Sequence, residues 1–256
     1  MGLIKNFKRH LKRRYGSEAL LTRVAKQQTG TTISGGPFQG LRYVGKSYNA
    51  AYLPKLAGCY ERELNPVIEQ AVSGAYDRII DVGSAEGYFA VGMATRCDTP
   101  VYAFELDCRA RDLSRELARR NGVEQQIEFL PGCEPPGLES ALAGSDRPFV
   151  LMDVEGYEAV LLNADAVPSL TRAAVLVELH EFARPGITAD LFRKFGATHE
   201  IEVIWQTPRT ADDYPFASPL TRLVSRRQIW KAVDENRGFS QSWLWMLPKD
   251  QAAQAA

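Results

Sequence analysis

Three short runs of this 256-residue chain hold residue types that can do chemistry. In the first, the apolar run Arg78–Val82 passes into a turn with glycines at 83 and 87, and a helical pattern begins near Tyr88. Glycine lets a backbone approach a ligand closely, and the start of a helix aims free N–H groups and a positive end at whatever sits there. Glu105 ends the next apolar run, 22 positions after Gly83. A carboxylate at that place can accept both hydroxyls of a ribose. The two glycines do not make the G-x-G-x-x-G spacing that a dinucleotide's pyrophosphate needs. A nucleoside joined to an amino acid has no such requirement.

The other two runs end in acids and an imidazole. Asp153 and Glu155 come at the end of Phe149–Asp153 and just beyond it, and Glu178 and His180 do the same for 173–179. Strand residues two apart share a face, so Asp153 should point with Glu155 and Glu178 with His180. Ligands of doubly wound sheets lie beyond the carboxyl ends of the strands, which places both pairs at the border of one pocket. His180, with His10 and His199 the chain's three histidines, can serve there as a general base. Alternatively Asp153, Glu178 and His180 hold a divalent cation such as Mg²⁺ or Mn²⁺. Glu155 is expected to orient its own loop ahead of Gly156.

Such residues need elements to hold them. Strand-like runs at 78–82, 101–105, 127–130, 149–153, 173–179, 201–205 and 242–247 alternate with helical patterns at 88–96, 108–122, 189–195 and 225–234. A further helix is expected over 56–72. Continuous apolar strands spaced by helices mean a mostly parallel sheet covered on both faces, so 56–250 reads as one doubly wound α/β domain. Residues 28–55, rich in Gly, Thr and Ser, read as a linker or small hairpin. The tail Gln251–Ala256 is expected to fray.

Residues 1–27 read as a basic amphipathic helix. The segment 1–26 carries a charge of +7 and the remainder −7, within a net charge of zero. Leu3, Ile4, Phe7, Leu11, Tyr15, Leu21 and Val24 recur at helical spacing. That stripe suits docking on the chain's own domain, or peripheral contact with an anionic membrane at its inner face. Four cysteines without a metal-type pair, no apolar run of membrane-spanning length and no signal-type h-region point to a cytoplasmic protein. No nucleic-acid partner is expected.

The run D-V-G-S-A-E-G-Y at 81–88, followed by A-F-E-L-D at 103–107, resembles the first two motifs of class I S-adenosylmethionine-dependent methyltransferases. The resemblance covers roughly residues 56–247 and implies a Rossmann-like, seven-stranded sheet of order 3-2-1-4-5-7-6 with an antiparallel last strand. It further implies that Gly83 and its neighbours Asp81, Ser84, Glu86 and Gly87 hold the methionine part of S-adenosylmethionine. Glu105, followed by Leu106, would hold the ribose. Gly132 and Cys133, in the turn with Glu134, would lie by the adenine, and Asp153 would border the cofactor. A narrower run, D-V-E-G-Y-E at 153–158 with V-E-L-H-E at 177–181, is similar to the FkbM-type methyltransferases, although Met152 stands where they usually carry Lys. These enzymes mostly methylate hydroxyls of sugars and sugar-containing metabolites.

The expected function is therefore methyl transfer from S-adenosylmethionine to a hydroxyl oxygen of a small-molecule or glycan acceptor, with His180 and Asp153 as the catalytic pair. The alternatives are a nicotinamide-dependent oxidoreductase and a non-catalytic scaffold on a cofactor-binding fold.

Overall fold

The computed structural model describes residues 16–48, 51–235 and 241–255, with only the backbone at 254 and 255. The chain divides into two compact units, one from 1–62 with 207–238 and the other from 63–206 with 239–256. This differs from the single domain expected over 56–250, because the segment that follows residue 206 packs with the N-terminal helices.

In the first unit, α1 (Ser17–Thr29) and α2 (Tyr52–Ala57) meet α9 (Arg226–Val233) around Leu21, Val24, Leu53, Leu56, Tyr214, Phe216 and Val233. Leu21 and Val24, the second half of the amphipathic stripe, are buried in this core and are not free to face a membrane. The first half lies outside the described residues. Ser225 and Gln228 cap α9 reciprocally, satisfying donors that a helix start leaves open. The helix expected over 56–72 is broken. Gly58 ends α2 at φ +80, its α-carbon pressed so close to Gly35 that an added Cβ would lie 2.1 Å from the Gly35 carbonyl oxygen. A new helix, α3 (Asn65–Ala71), starts with Pro66 in its first turn, where a missing N–H costs nothing. Thr32 and Arg42 pair as an isolated bridge, which closes the small loop expected near 28–55.

The second unit begins at residue 63, so α3 belongs to it, and it is built on seven strands. In chain order they are β1 (Arg78–Val82), β2 (Val101–Phe104), β3 (Ile127–Leu130), β4 (Pro148–Met152), β5 (Ala174–Glu178), β6 (His199–Trp205) and β7 (Ser242–Pro248). Between them run α4 (Tyr88–Ala94), α5 (Cys108–Asn121), α6 (Pro135–Leu142), α7 (Glu158–Leu161) and α8 (Ile187–Phe195), and α10 (Lys249–Ala255) follows β7. The tail is thus helical, and Gln251 donates to the Arg172 carbonyl.

The strand order is β3-β2-β1-β4-β5-β7-β6, with β7 antiparallel to both of its neighbours. Every residue of β4 and β5 is buried, as a central parallel strand with helices on both faces requires. Ile80, Val82, Val150, Val175 and Leu244 share one apolar core with Leu138 and Leu142 of α6 and Leu191 and Phe195 of α8. The local signals agree with these elements. Asp107 caps α5 by accepting from the Arg109 N–H, and Gly122 ends it in the left-handed conformation.

Candidate active site

Strand register brings the chemistry to one edge. Phe104 pairs with Val82, Val82 with Met152, and Met152 with Val177. The residues that follow these strands, among them Gly83, Glu105, Asp153 and His180, therefore leave the sheet at its carboxyl end together.

The turn after β1 is built around Gly83, Ala85 and Gly87. The Gly83 and Ser84 N–H groups both donate to the Phe104 carbonyl, at 2.9 and 3.0 Å, and tie the turn to β2. Ala85 takes a left-handed φ of +47, and its N–H donates to Glu105 Oε2 at 2.8 Å. Glu105 Oε1 accepts from the Asp107 N–H, also at 2.8 Å. Each carboxylate oxygen so engaged keeps acceptor capacity for a hydroxyl. The Glu105 carboxylate is held in place from both sides before any ligand arrives.

Gly83 is needed for a reason other than ligand approach. Its φ is +88, and a Cβ there would stand 1.8 Å from the carbonyl oxygen of Asp153. The close neighbour is the protein's own loop after β4. Gly87 (φ +85) likewise faces Ser114 Oγ at 2.3 Å from a would-be Cβ. Asp81 in β1 and Ser84 and Glu86 within the turn are all buried. Beside it Leu106 is 82 % exposed, and its side chain lies 3.0 Å from the place a Gly132 Cβ would take, so an apolar surface adjoins Glu105. Burial pushes the Cys133 thiol up to about 12, with the Glu134 charge adding to it, which keeps this sulfur protonated and unreactive. The hydroxyl of Tyr157 donates to Glu134 at 2.7 Å and links the loops after β3 and β4.

The second cluster gathers around His180, which is 3 % exposed. β4 ends at Met152, so Asp153, expected as the last residue of the strand, lies with Glu155 in the following loop. Glu155 takes a left-handed φ of +52, an uncommon conformation for a non-glycine residue and one that concentrates at working sites. His180 Nε2 faces Asp153 Oδ1 at 3.6 Å and Glu155 Oε2 at 3.5 Å. Its Nδ1 is 2.6 Å from Oε1 of Glu158, which is fully buried. Burial by itself would lower the imidazole pKa. The Glu158 bond and the charges of Asp153, Glu158 and Glu155 outweigh it and hold His180 above its ordinary value. Burial would raise the Glu158 carboxyl, yet the bonds from His180 and from the Gly156 N–H bring it below its ordinary range.

The residues within mutual reach of a cation are Asp153, Glu155 and His180 among those described. Glu178 is not one of them. It ends β5, buried and paired in register with Trp243. Glu155 thus stands where Glu178 was expected, because a loop beyond the strand does not keep the two-residue alternation. The residue that sequence reasoning passed over is Glu158. Its signal was the second glutamate of D-V-E-G-Y-E, five positions after Asp153.

A sheet of order 3-2-1-4-5-7-6 with β7 antiparallel, and a glycine turn between β1 and its helix, decides the architecture. The fold is that of the Rossmann-like methyltransferases. No family model matches the chain. Over 134 residues it is 28 % identical to a ribosomal protein L11 methyltransferase of Allorhizobium ampelinum, covering 52 % of this chain and 41 % of that protein. Its counterpart in Rhizobium rhizogenes is 27 % identical over 133 residues, covering 52 % and 40 %. The chain spans about two fifths of the length of these relatives. Among solved structures, a precorrin-6y C5,15-methyltransferase from Geobacter metallireducens has a TM-score of 0.48 at 14 % identity, covering 73 % of this chain and 88 % of that one. The O-methyltransferase TomG from Streptomyces achromogenes has a TM-score of 0.45 at 13 % identity, covering 89 % of both chains. The fold assignment rests on strand order and register. Among the described residues no helix is long and apolar enough to cross a membrane.

Proposed function

We propose that this protein transfers a methyl group from S-adenosylmethionine to a hydroxyl oxygen, of a sugar or a glycosylated metabolite. The observation that carries the reading is the Glu105 carboxylate, fixed by the Ala85 and Asp107 amides at the edge where the His180 cluster also emerges. Glu105 would accept the ribose hydroxyls. The turn 83–87 would hold the methionine part, and Leu106 with Gly132 and Cys133 would flank the base. S-adenosylmethionine supplies a methyl already activated on a positive sulfur. The chain's own work is to hold the acceptor oxygen in line with that carbon and to take its proton. His180 Nε2 is the proton acceptor in this reading, with Asp153 and Glu155 stabilising the imidazolium that results.

Glu105→Ala should weaken S-adenosylmethionine binding about 10- to 150-fold, the equivalent of about 1.5–3 kcal/mol for hydrogen bonds to a charged group. Calorimetric titration with S-adenosylmethionine, its demethylated product and NAD checks this. Tighter binding of NAD than of either sulfur compound would replace methyl transfer with nicotinamide chemistry.

A protein acceptor is the second reading, favoured by the names of the two rhizobial relatives. Labelled cofactor offered with a sugar panel and with ribosomal protein separates the two. For location, the basic residues ahead of α1 are proposed to favour anionic surfaces, each worth about 1 kcal/mol there. The full chain should then sediment with anionic liposomes at low salt and not with neutral ones; equal behaviour with both would end the membrane idea.

A further inference from the structure

We propose that Glu158 is a positioning residue that holds the His180 ring as its Nδ1–H tautomer and so presents Nε2 to the acceptor hydroxyl. The role in catalysis rests on the methyl-transfer reading; the tautomer does not. Glu158 opens α7 and is fully buried, where a carboxylate is costly unless paired. Its Oε1 accepts from the Gly156 N–H at 3.1 Å and lies 2.6 Å from His180 Nδ1.

An ionised carboxylate has no proton to give, so across that short contact the imidazole must be the donor. With Nδ1 protonated, Nε2 of the neutral ring is the atom with a lone pair. It faces Asp153 and Glu155 at 3.6 and 3.5 Å, longer than the ~2.9 Å of a well-made N–H···O bond. The Phe182 ring, 64 % exposed, stands edge-on to the imidazole at 5.5 Å between centroids. The ring is thus gripped at Nδ1 and on one flank, while Nε2 lies on the side of the loop after β4. The groups whose charges bear on the imidazole are Glu158 on α7 and Asp153 and Glu155 on that loop. A carboxylate that fixes the tautomer of a histidine and stabilises its imidazolium is a recurrent device of general-base sites.

The test is side-chain ¹H–¹⁵N NMR of the full chain labelled at histidine, with no cofactor or acceptor added. His180 is identified by the signals lost in His180→Ala. Above its titration the wild type should show a protonated Nδ1 and a bare Nε2. Glu158→Gln should mix the two tautomers, because an amide can donate as well as accept, and should move the His180 midpoint toward acid. Glu158→Asp, which keeps the charge, should retain the Nδ1–H form. A wild-type His180 protonated at Nε2, or a tautomer and midpoint unchanged in Glu158→Gln, overturns the proposal. Where Glu158→Gln does not fold, as judged by circular dichroism, the wild type and Glu158→Asp still decide. A confirmed tautomer in a protein that transfers no methyl would leave the pairing standing and remove the proposed function instead.

Discussion

His180→Ala is expected to lower turnover by about 10²- to 10⁴-fold while the affinity for S-adenosylmethionine stays within about twofold of wild type. The split follows from where the side chain sits. The Nε2 of His180 faces the Asp153 and Glu155 carboxylates, whereas the proposed cofactor contacts come from the β1 turn and Glu105. Acceptor-saturated rates with labelled cofactor, beside calorimetric binding, measure both quantities. The pH profile adds a second sign to read. A base works as the neutral imidazole, and His180 titrates above its ordinary value because Glu158, Asp153 and Glu155 outweigh burial. The rate should therefore rise with pH through a limb above about 6.5. A flat profile together with full activity of His180→Ala would leave alignment of the reacting atoms as the whole mechanism.

Gly83→Ala is the second large effect, and it should appear first in stability. An alanine Cβ at φ +88 would stand 1.8 Å from the Asp153 carbonyl oxygen, which is backbone and cannot turn aside. Strain and clash together should cost on the order of 2–4 kcal/mol, a fall in Tm of roughly 5–15 °C. Gly122 supplies the internal comparison. It too has a positive φ, +74, but an added Cβ there meets nothing within 4 Å. Gly122→Ala should then cost only about 1 kcal/mol for the left-handed conformation. Thermal melts of the two variants side by side decide, and equal melting temperatures would show that the loops after β1 and β4 are not packed as described. The same substitution should weaken S-adenosylmethionine binding, since Ala85 and its bond to Glu105 lie two residues on.

Some of this was legible in the residues alone. The apolar runs at 78–82, 101–105, 149–153 and 173–179 became parallel strands, because a strand covered on both faces must be apolar throughout. Gly122 marked the end of α5, where the left-handed cap conformation favours glycine. The glycine turn and the acid at 105, read from the residues as parts of one site, lie side by side through the register of β1 with β2.

What only the tertiary structure decided lies where local periodicity ends. Asp153 and Glu155 sit in a loop, and there the alternation of faces no longer says which way a side chain points. Glu155 therefore reached His180 through a left-handed turn, and Glu178, two residues before that histidine, did not. Glu158 is 22 positions from His180, and no pattern within α7 announces their contact; it exists because β4 and β5 are neighbours and the two residues follow the carboxyl ends of those strands. The same holds for Gly83. Its need for glycine was readable, but its cause, a carbonyl 70 positions away, was set by the pairing of β1 with β4. Segment 207–235 joined α1 and α2 for a comparable reason, since the apolar faces around Leu21, Leu56 and Val233 find each other only once the chain has folded. Sequence determines each element through interactions between near neighbours. Which loop residues converge at the carboxyl edge of the sheet is set by strand order, through contacts that span tens to hundreds of residues.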